Sequence, residues 1–129
     1  MDGVGSGDKL TVRIDEGRVF DGLGVRVTRL IHPLTVGSVG LGVSYCVMQP
    51  GDEARRHYHE NEEAFFVLEG EGTMYLAGVG DIHLEPGLAV YAPSNRVHGI
   101  VNDSAGELRL MTALSPPPVE GAPPQFADA

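Results

Sequence analysis

The chain has 129 residues, a formal net charge of −9 and a single cysteine, Cys46. This length suits one domain with one hydrophobic core, and a single cysteine excludes both an internal disulfide and a cysteine-based metal site. Residues 60–129 contain 11 acidic residues but only two basic ones, Arg96 and Arg109, so nucleic acid and anionic membrane surfaces are not expected partners.

No targeting segment or membrane span is recognisable in the sequence. The longest apolar runs are far shorter than the ~20 residues that a transmembrane helix requires. The first ten residues lack the basic and apolar regions of a secretory signal. We therefore expect a soluble, cytoplasmic protein. Residues 1–8 are rich in glycine and aspartate, and we expect them to be mobile.

The spacing of apolar residues favours β-strands and gives almost no support for helices. The clearest strand is predicted at residues 39–47, where bulky and small side chains alternate. Its bulky positions are Val39, Leu41, Val43, Tyr45 and Val47. We expect this bulky face to be divided between the core and an interface.

Shorter β-rich runs follow one another along the chain and are separated by turn sequences rich in glycine, proline, asparagine and aspartate. These predicted strands cover residues 10–14, 25–30, 64–68, 73–77, 82–85, 88–91, 98–101 and 108–114. Many short strands at regular spacing indicate an all-β sandwich or barrel. We expect this domain to occupy residues 9–114.

The C-terminal residues 115–129 differ in composition, since they contain five of the nine prolines. Proline lacks the N–H group that a sheet requires, so we expect this segment to stay out of the sheets. The composition favours a disordered tail over a polyproline strap that lies on a neighbouring molecule.

A group of histidines and one glutamate marks the candidate site. His57 and His59 are two residues apart, a spacing that places both imidazoles on one face of a strand. Glu63 follows four residues later, and His98 begins another predicted strand. Imidazoles with a carboxylate suit divalent first-row metals and leave positions open for water or substrate. These residues alone leave two alternatives, a metal site or a polar strand face.

The spacing of fixed residues around this group resembles the two signatures of the cupin superfamily. The first signature is matched by Gly51, His57, His59, Glu63 and Gly70, and the second by Gly87, Pro93, His98 and Asn102. Asn95 departs from the second signature, which usually has glycine there. Asparagine tolerates the left-handed backbone region better than other non-glycine residues, so this departure concerns the turn and not the metal ligands.

The resemblance implies a single cupin barrel, also described as a jelly roll or double-stranded β-helix. It further implies that His57, His59, Glu63 and His98 bind one divalent metal ion per chain. Fe(II) or Mn(II) is favoured for this site, with Ni(II) or Zn(II) as alternatives. Glu63 would also be the catalytic residue, because it can detach and act as a base.

The remaining candidates are interpreted from their position along the predicted strands. Phe65 and Val67 share the parity of Glu63 and are expected to face inward, whereas Glu60 and Glu62 are expected to be solvated. Only structural or surface roles are expected for His32, Cys46 and His83.

Cupins use this metal site for several reactions, so the fold does not choose among them. We favour an O₂-dependent oxygenase acting on a small substrate that chelates the metal. The second alternative is a redox-neutral isomerase, lyase or cyclase, acting on a sugar acid or a polyketide-like intermediate, and the third is a non-catalytic ligand-binding barrel. Because bare sheet edges invite pairing, we expect a homodimer, formed sheet to sheet or by strand exchange at the N-terminus.

Overall fold

The computed structural model describes residues 9–127, so the expectations for residues 1–8 and for the last two residues of the tail lie outside the described part. The described part contains no helix that is long and apolar enough to cross a membrane. Its elements are a 3₁₀ helix (Ile14–Glu16) and the strands β1 (Arg18–Phe20), β2 (Val27–Ile31), β3 (Gly42–Met48), β4 (Glu53–Tyr58), β5 (Glu62–Glu69), β6 (Gly72–Leu76), β7 (Gly80–Leu84), β8 (Ala89–Ala92), β9 (His98–Val101), β10 (Leu108–Ser115) and β11 (Gln125–Phe126).

The strands form two antiparallel sheets. One sheet has the order β1-β2-β3-β10-β5-β8, and the other has the order β11-β4-β9-β6-β7. Strands that are distant in sequence lie side by side, as β3 pairs with β10 and β4 pairs with β9. Two antiparallel sheets connected in this way form a jelly roll. The predicted all-β jelly-roll fold is therefore confirmed.

Two differences from the predicted strands have local causes. Residues 10–14 form no strand, because the chain turns into the 3₁₀ helix, where the Arg13 amide donates to the Glu16 carboxylate at 2.9 Å. Strand β4 lacks a period-two signal in the sequence. Its register against β9 shifts between Ala54 and His57, and such a bulge interrupts the alternation of inward and outward side chains.

Strand β3 turns its small side chains toward the interior. Gly42, Ser44 and Cys46 are buried, whereas Val43 and Tyr45 on the opposite face are only half-buried. The expectation that the bulky face contributes to the core was therefore wrong. The interior at this strand contains a cavity, and small side chains leave room for it.

The hydrophobic core fills one end of the barrel, and the buried candidate ligands His57, Glu63 and His98 lie toward the other. Phe65 and Val67 face inward as predicted. The fully buried apolar side chains include Met48, Val67, Met74, Leu84, Leu108 and Leu110. On β3 and β5, the inward positions nearer the other end of the barrel include the polar residues Ser44 and Glu63. The packed end thus supports an open end that holds the candidate site.

Residues 116–127 fold back over the barrel and are called the C-terminal strap below. Its last part forms β11, which pairs with β4 through Gln125 and Phe126. The prediction that the segment stays out of the sheets, and that it is a disordered tail, was therefore wrong. The five prolines precede β11, so both residues of this strand keep the N–H group that pairing requires.

Side chains from the barrel hold the C-terminal strap along its length. His32 is buried and its Nε2–H donates to the carbonyl of Pro118 at 2.8 Å, while its Nδ1 accepts from the Leu34 amide. Further along, Arg18 forms an ion pair with Glu120. The strap is thus part of the folded domain.

Gly70 is expected to tolerate no side chain. Its φ is +86°, and a Cβ there would overlap the carbonyl oxygen of Glu107. Gly51 has a similar φ of +90° but open space around it, and so provides a matched control. We expect Gly51→Ala to reduce the free energy of unfolding by about 1–2 kcal/mol, and Gly70→Ala by about 2–5 kcal/mol. Urea unfolding measures both values, and equal losses would contradict the steric account.

Candidate metal centre

Three histidines converge at the open end of the barrel. His57 lies in β4 directly opposite His98 of β9, and His59 follows just beyond the end of β4. The ring centroids are 4.4 Å apart for His57 and His98, 5.0 Å for His59 and His98, and 5.6 Å for His57 and His59. One nitrogen from each ring lies within 4.8 Å of the other two. The predicted convergence of these rings is therefore observed.

Backbone carbonyl groups orient all three rings in the same way. In each ring Nδ1 lies at hydrogen-bonding distance from a carbonyl oxygen two residues away. These bonds join His57 to Arg55 (2.6 Å), His59 to Asn61 (2.9 Å) and His98 to Arg96 (2.8 Å). A carbonyl only accepts, so Nδ1 carries the hydrogen and Nε2 of the neutral ring keeps a free lone pair. Metal-binding histidines are held by their second nitrogen in the same manner.

Glu63 brings a carboxylate to the same point. It lies on β5, is 8% exposed, and places Oε1 3.1 Å from Nε2 of His59 and 3.4 Å from Nε2 of His98. All four residues predicted as ligands therefore lie together. The adjacent Glu62 points outward as predicted, where it accepts a hydrogen bond from the Tyr91 hydroxyl at 2.7 Å.

The atoms at the centre of this cluster fit a bound cation. Nε2 of His98 is buried and has no hydrogen-bond partner among residues 9–127. Buried polar atoms are rarely left without a partner. Oε1 of Glu63 lies close to Nε2 of His59 and of His98, and in neutral rings these nitrogens are acceptors too. A proton or a metal cation between these atoms stabilises the arrangement. The donor set of imidazoles and one carboxylate suits a divalent first-row metal.

The surroundings set the charges of the cluster. Burial, and then the charge of neighbouring His98, lowers the pKa of His57 to about 4, so this ring is neutral at pH 7. Burial is the largest single influence on the pKa values of His59 and Glu63 and opposes their ionisation, but the hydrogen bonds and charge attractions around them together outweigh it. The pKa of Glu63 is therefore held below its ordinary value and that of His59 is raised. An ionised carboxylate beside imidazoles attracts a cation.

The turn before β9 ties the two halves of the site together. Asn95 has φ of 62° and is the one non-glycine residue of the described part with positive φ, which confirms the left-handed position expected for the missing glycine. Its amide donates to the carbonyl of His59 at 2.7 Å. Pro93 directly follows β8, where its lack of an N–H group leaves no sheet hydrogen bond unmade. This turn positions His98 against His59.

The histidine cluster opens into a cavity of about 480 Å³. Most of its lining is apolar and comes from both sheets, including Val25, Val27, Met48, Ile100, Leu110 and Leu114. Phe65 packs its ring 5.6 Å from the ring of His98, in an edge-on arrangement. Prolines of the C-terminal strap form one wall. A cavity of this size with a mostly apolar lining is typical of small-molecule sites in proteins.

Sequence motifs did not reveal the polar residues of the cavity wall. Arg29, Ser44 and Thr112 line the cavity, but none of them belongs to a motif. One signal was present for Arg29. It shares parity with Val25 and Val27 in the predicted strand at residues 25–30, and those apolar residues face inward.

The other histidines and the cysteine have the minor roles expected of them. His32 is buried and structural, and His83 is exposed beside Glu71 at 3.2 Å. Cys46 lines the cavity from the small face of β3. Burial, with a smaller contribution from Asp52, raises the pKa of the Cys46 thiol to about 11, so it is protonated and unreactive at pH 7.

Known proteins resemble this chain in sequence and in fold. Auxin-binding protein 1 of Arabidopsis thaliana is 31% identical over 104 residues, which cover 70% of this chain and 52% of that protein. The chain thus spans about half the length of this relative. Quercetin 2,3-dioxygenase of Bacillus subtilis is 44% identical over 55 residues, or 42% of this chain and 16% of the enzyme.

A solved structure shares the fold over nearly the whole chain. The polyketide cyclase RemF from Streptomyces resistomycificus superposes with a TM-score of 0.75 and 20% identity, covering 94% of this chain and 87% of RemF. The family model for the cupin domain matches residues 44–114, more than half of the chain. Since that region runs from β3 to β10 and contains all four predicted ligands, the chain belongs to the cupin family.

Proposed function

We propose that this cupin is a mononuclear metal-dependent enzyme that acts on a small, largely apolar organic substrate with neighbouring oxygen atoms. One observation carries the proposal: the cluster of three histidines and Glu63 lies in the wall of an apolar cavity of about 480 Å³. A divalent metal bound there would act as a Lewis acid toward substrate oxygen atoms. We expect Fe(II) or Mn(II), with Ni(II) or Zn(II) as alternatives. A cytoplasmic location remains a prediction from the sequence.

Different residues of the chain would have different roles in such a reaction. His57, His59 and His98 would hold the metal through Nε2. Glu63 is a buried carboxylate beside them and is placed to accept a proton from the substrate. Phe65 and the C-terminal strap enclose the same space with apolar groups, which limits the access of water and strengthens electrostatic interactions.

We favour an O₂-dependent oxygenase as the reaction class. The similarity to quercetin 2,3-dioxygenase over 55 residues supports this choice. Quercetin also has the required chemistry at the metal, because it is a flat aromatic molecule whose neighbouring oxygen atoms can chelate a metal ion. A flavonol, which has these oxygen atoms but no carboxylate, is therefore the first probe of the oxygenase reaction at the metal centre.

Oxygen consumption is expected to accompany the loss of quercetin in protein loaded with Fe(II) or Mn(II). An oxygen electrode and the absorbance of the flavonol measure the two quantities in parallel, and the metal-free protein is the control. Under argon the loss of quercetin should stop. Turnover that continues under argon, or after replacement of the metal by Zn(II), would contradict the oxygenase.

A redox-neutral isomerisation or cyclisation is the second candidate. The position of Glu63 favours it, since a buried carboxylate beside a chelated substrate can move a proton without any co-substrate. The shared fold with the polyketide cyclase RemF suggests a polyketide-like substrate for this alternative. Product analysis by mass spectrometry separates the classes, because oxygenation adds mass and isomerisation does not.

We propose that the outer face of the six-stranded sheet forms a homodimer interface. Phe66 and Leu68 of β5 and Tyr91 of β8 are exposed large apolar side chains on this face. Met111 pairs with Phe66 in register and extends the apolar surface across β10. Contiguous exposed apolar surfaces of this kind commonly mark protein interfaces.

Light scattering is expected to give twice the chain mass of 13.7 kDa for the wild-type protein. Phe66→Glu should halve that mass, because it places a charge in the centre of the interface. Val79→Glu is the matched control, since Val79 is exposed in the turn between β6 and β7 of the other sheet. A wild-type protein that is monomeric at micromolar concentration would contradict the dimer.

A further inference from the structure

Arg29 is a buried cation in the wall of the metal-centre cavity. It lies on β2, is 8% exposed and lines the cavity. The structure shows no ion pair or side-chain hydrogen bond from its guanidinium to any residue within 9–127. Two surface arginines of the same chain, Arg18 and Arg26, pair with the carboxylates of Glu120 and Asp21. Arg29 differs from the other arginines because its side chain lies in the cavity wall and is little exposed to water.

The contacts that Arg29 does make leave its donors free. Its guanidinium stacks over the ring of Phe20, 4.5 Å from the centroid. Stacking uses the face of the guanidinium, whereas its five N–H donors lie in the plane. Glu120 of the strap influences Arg29 from a distance, but Arg18 already engages that carboxylate. A guanidinium that is so little exposed to water is stabilised by an anionic hydrogen-bonding partner.

Two hydroxyl groups extend the polar surface from Arg29 toward the metal centre. Ser44 of β3 stands opposite Arg29 in register, and Thr112 of β10 stands opposite Ser44. Both line the cavity, and neither hydroxyl forms a hydrogen bond to another described residue. The next residue in this row is Phe65, whose ring packs against His98. A polar row therefore crosses an otherwise apolar cavity and ends beside the histidines.

We propose that Arg29 binds a carboxylate of the substrate, with Ser44 and Thr112 donating further hydrogen bonds along the same molecule. A guanidinium fork matches the two oxygens of a carboxylate. The inference rests on the proposed function in one respect, that the other end of the substrate reacts at the metal centre.

The size of the cavity wall further defines the substrate class. Two strands, β3 and β10, separate β2 from β5, which places Arg29 and Phe65 about 14 Å apart along the sheet at the usual interstrand spacing. The side chains of Arg29 and of the histidines project from these strands into the same cavity. We therefore expect an apolar organic acid that fills the cavity between them.

The test compares two probes of the same shape, 2-naphthoate and its neutral amide 2-naphthamide. Calorimetric titration of the full-length, metal-depleted protein measures both affinities, so that a metal cannot bind the carboxylate. The wild-type protein should bind the acid about tenfold or more tightly than the amide. Arg29→Gln should abolish this preference and Arg29→Lys should retain part of it. Arg26→Gln, which removes the same charge from an exposed position, should leave the preference unchanged.

A second measurement needs no variant. The Nε–Hε signal of Arg29 in a ¹⁵N-correlated NMR spectrum of the wild-type protein should shift with naphthoate and stay in place with naphthamide. Equal affinity for the two probes, an unchanged preference in Arg29→Gln, or no binding of either probe by the wild-type protein would overturn the inference.

Metal analysis of the same preparations separates this inference from the proposed function. Protein that binds naphthoate through Arg29 but takes up no metal would contradict the metal-dependent enzyme and support the carboxylate site. Protein that binds metal but shows no effect of Arg29 would contradict the carboxylate site alone.

Discussion

His98→Ala is expected to remove the metal from the purified protein. His98 is 1% exposed, and its Nε2 has no hydrogen-bond partner within the described residues, so the substitution removes a buried nitrogen that is free to bind the metal. Elemental mass spectrometry on protein prepared without added metal or chelator should find one divalent ion per wild-type chain. The variant should contain almost none.

The matched control for this experiment is His83→Ala. His83 is an exposed histidine beside Glu71, outside the cavity, so its removal should leave the metal content unchanged. Circular dichroism establishes that both variants retain the sheet structure. A folded His98→Ala protein with the full metal content would show that His98 is not a ligand.

Glu63→Gln is expected to reduce turnover far more than it reduces metal binding. Glutamine keeps the shape of the side chain and one coordinating oxygen, but it cannot accept a proton. A general base typically contributes about 10²–10⁴-fold to a rate, and we expect a loss in that range. Metal affinity should fall less than in His57→Ala. Metal titration and turnover of the substrate found in the oxygen-uptake experiments measure the two effects.

Glu62→Gln serves as the control for this variant, because Glu62 is the adjacent acid and points outward to the Tyr91 hydroxyl. It should affect neither metal binding nor turnover. Equal losses of metal and of turnover in Glu63→Gln would assign Glu63 the role of a ligand without a role as base.

The histidine cluster could be predicted because its signals are local. A spacing of two residues places the side chains of His57 and His59 on the same face of an extended chain. The match of the surrounding residues to the two cupin signatures linked both histidines to His98. The parity of β5 likewise placed Glu63 and Phe65 on one face, as the structure shows. Asn95 could be assigned a left-handed backbone because few residue types tolerate that conformation.

Features that depend on long-range pairing could not be predicted in the same way. A bulge in β4 interrupts the alternation of inward and outward side chains, so the sequence of this strand has no period-two pattern. The strap has a composition typical of disorder, and it is ordered by groups distant in sequence, such as the buried ring of His32. The small face of β3 turns inward because the barrel contains a cavity, which strand periodicity does not report. Arg29 shares parity with Val25 and Val27, but its burial and its lack of a carboxylate partner, which make it a candidate, follow from the folded structure.

Anomalous diffraction from crystals grown with the metal found in the purified protein tests the central claim most directly. We predict one strong peak per chain, within bonding distance of Nε2 of His57, His59 and His98 and of a carboxylate oxygen of Glu63. A peak on other residues, or no peak at this cluster in protein crystallised with excess metal, would contradict the account.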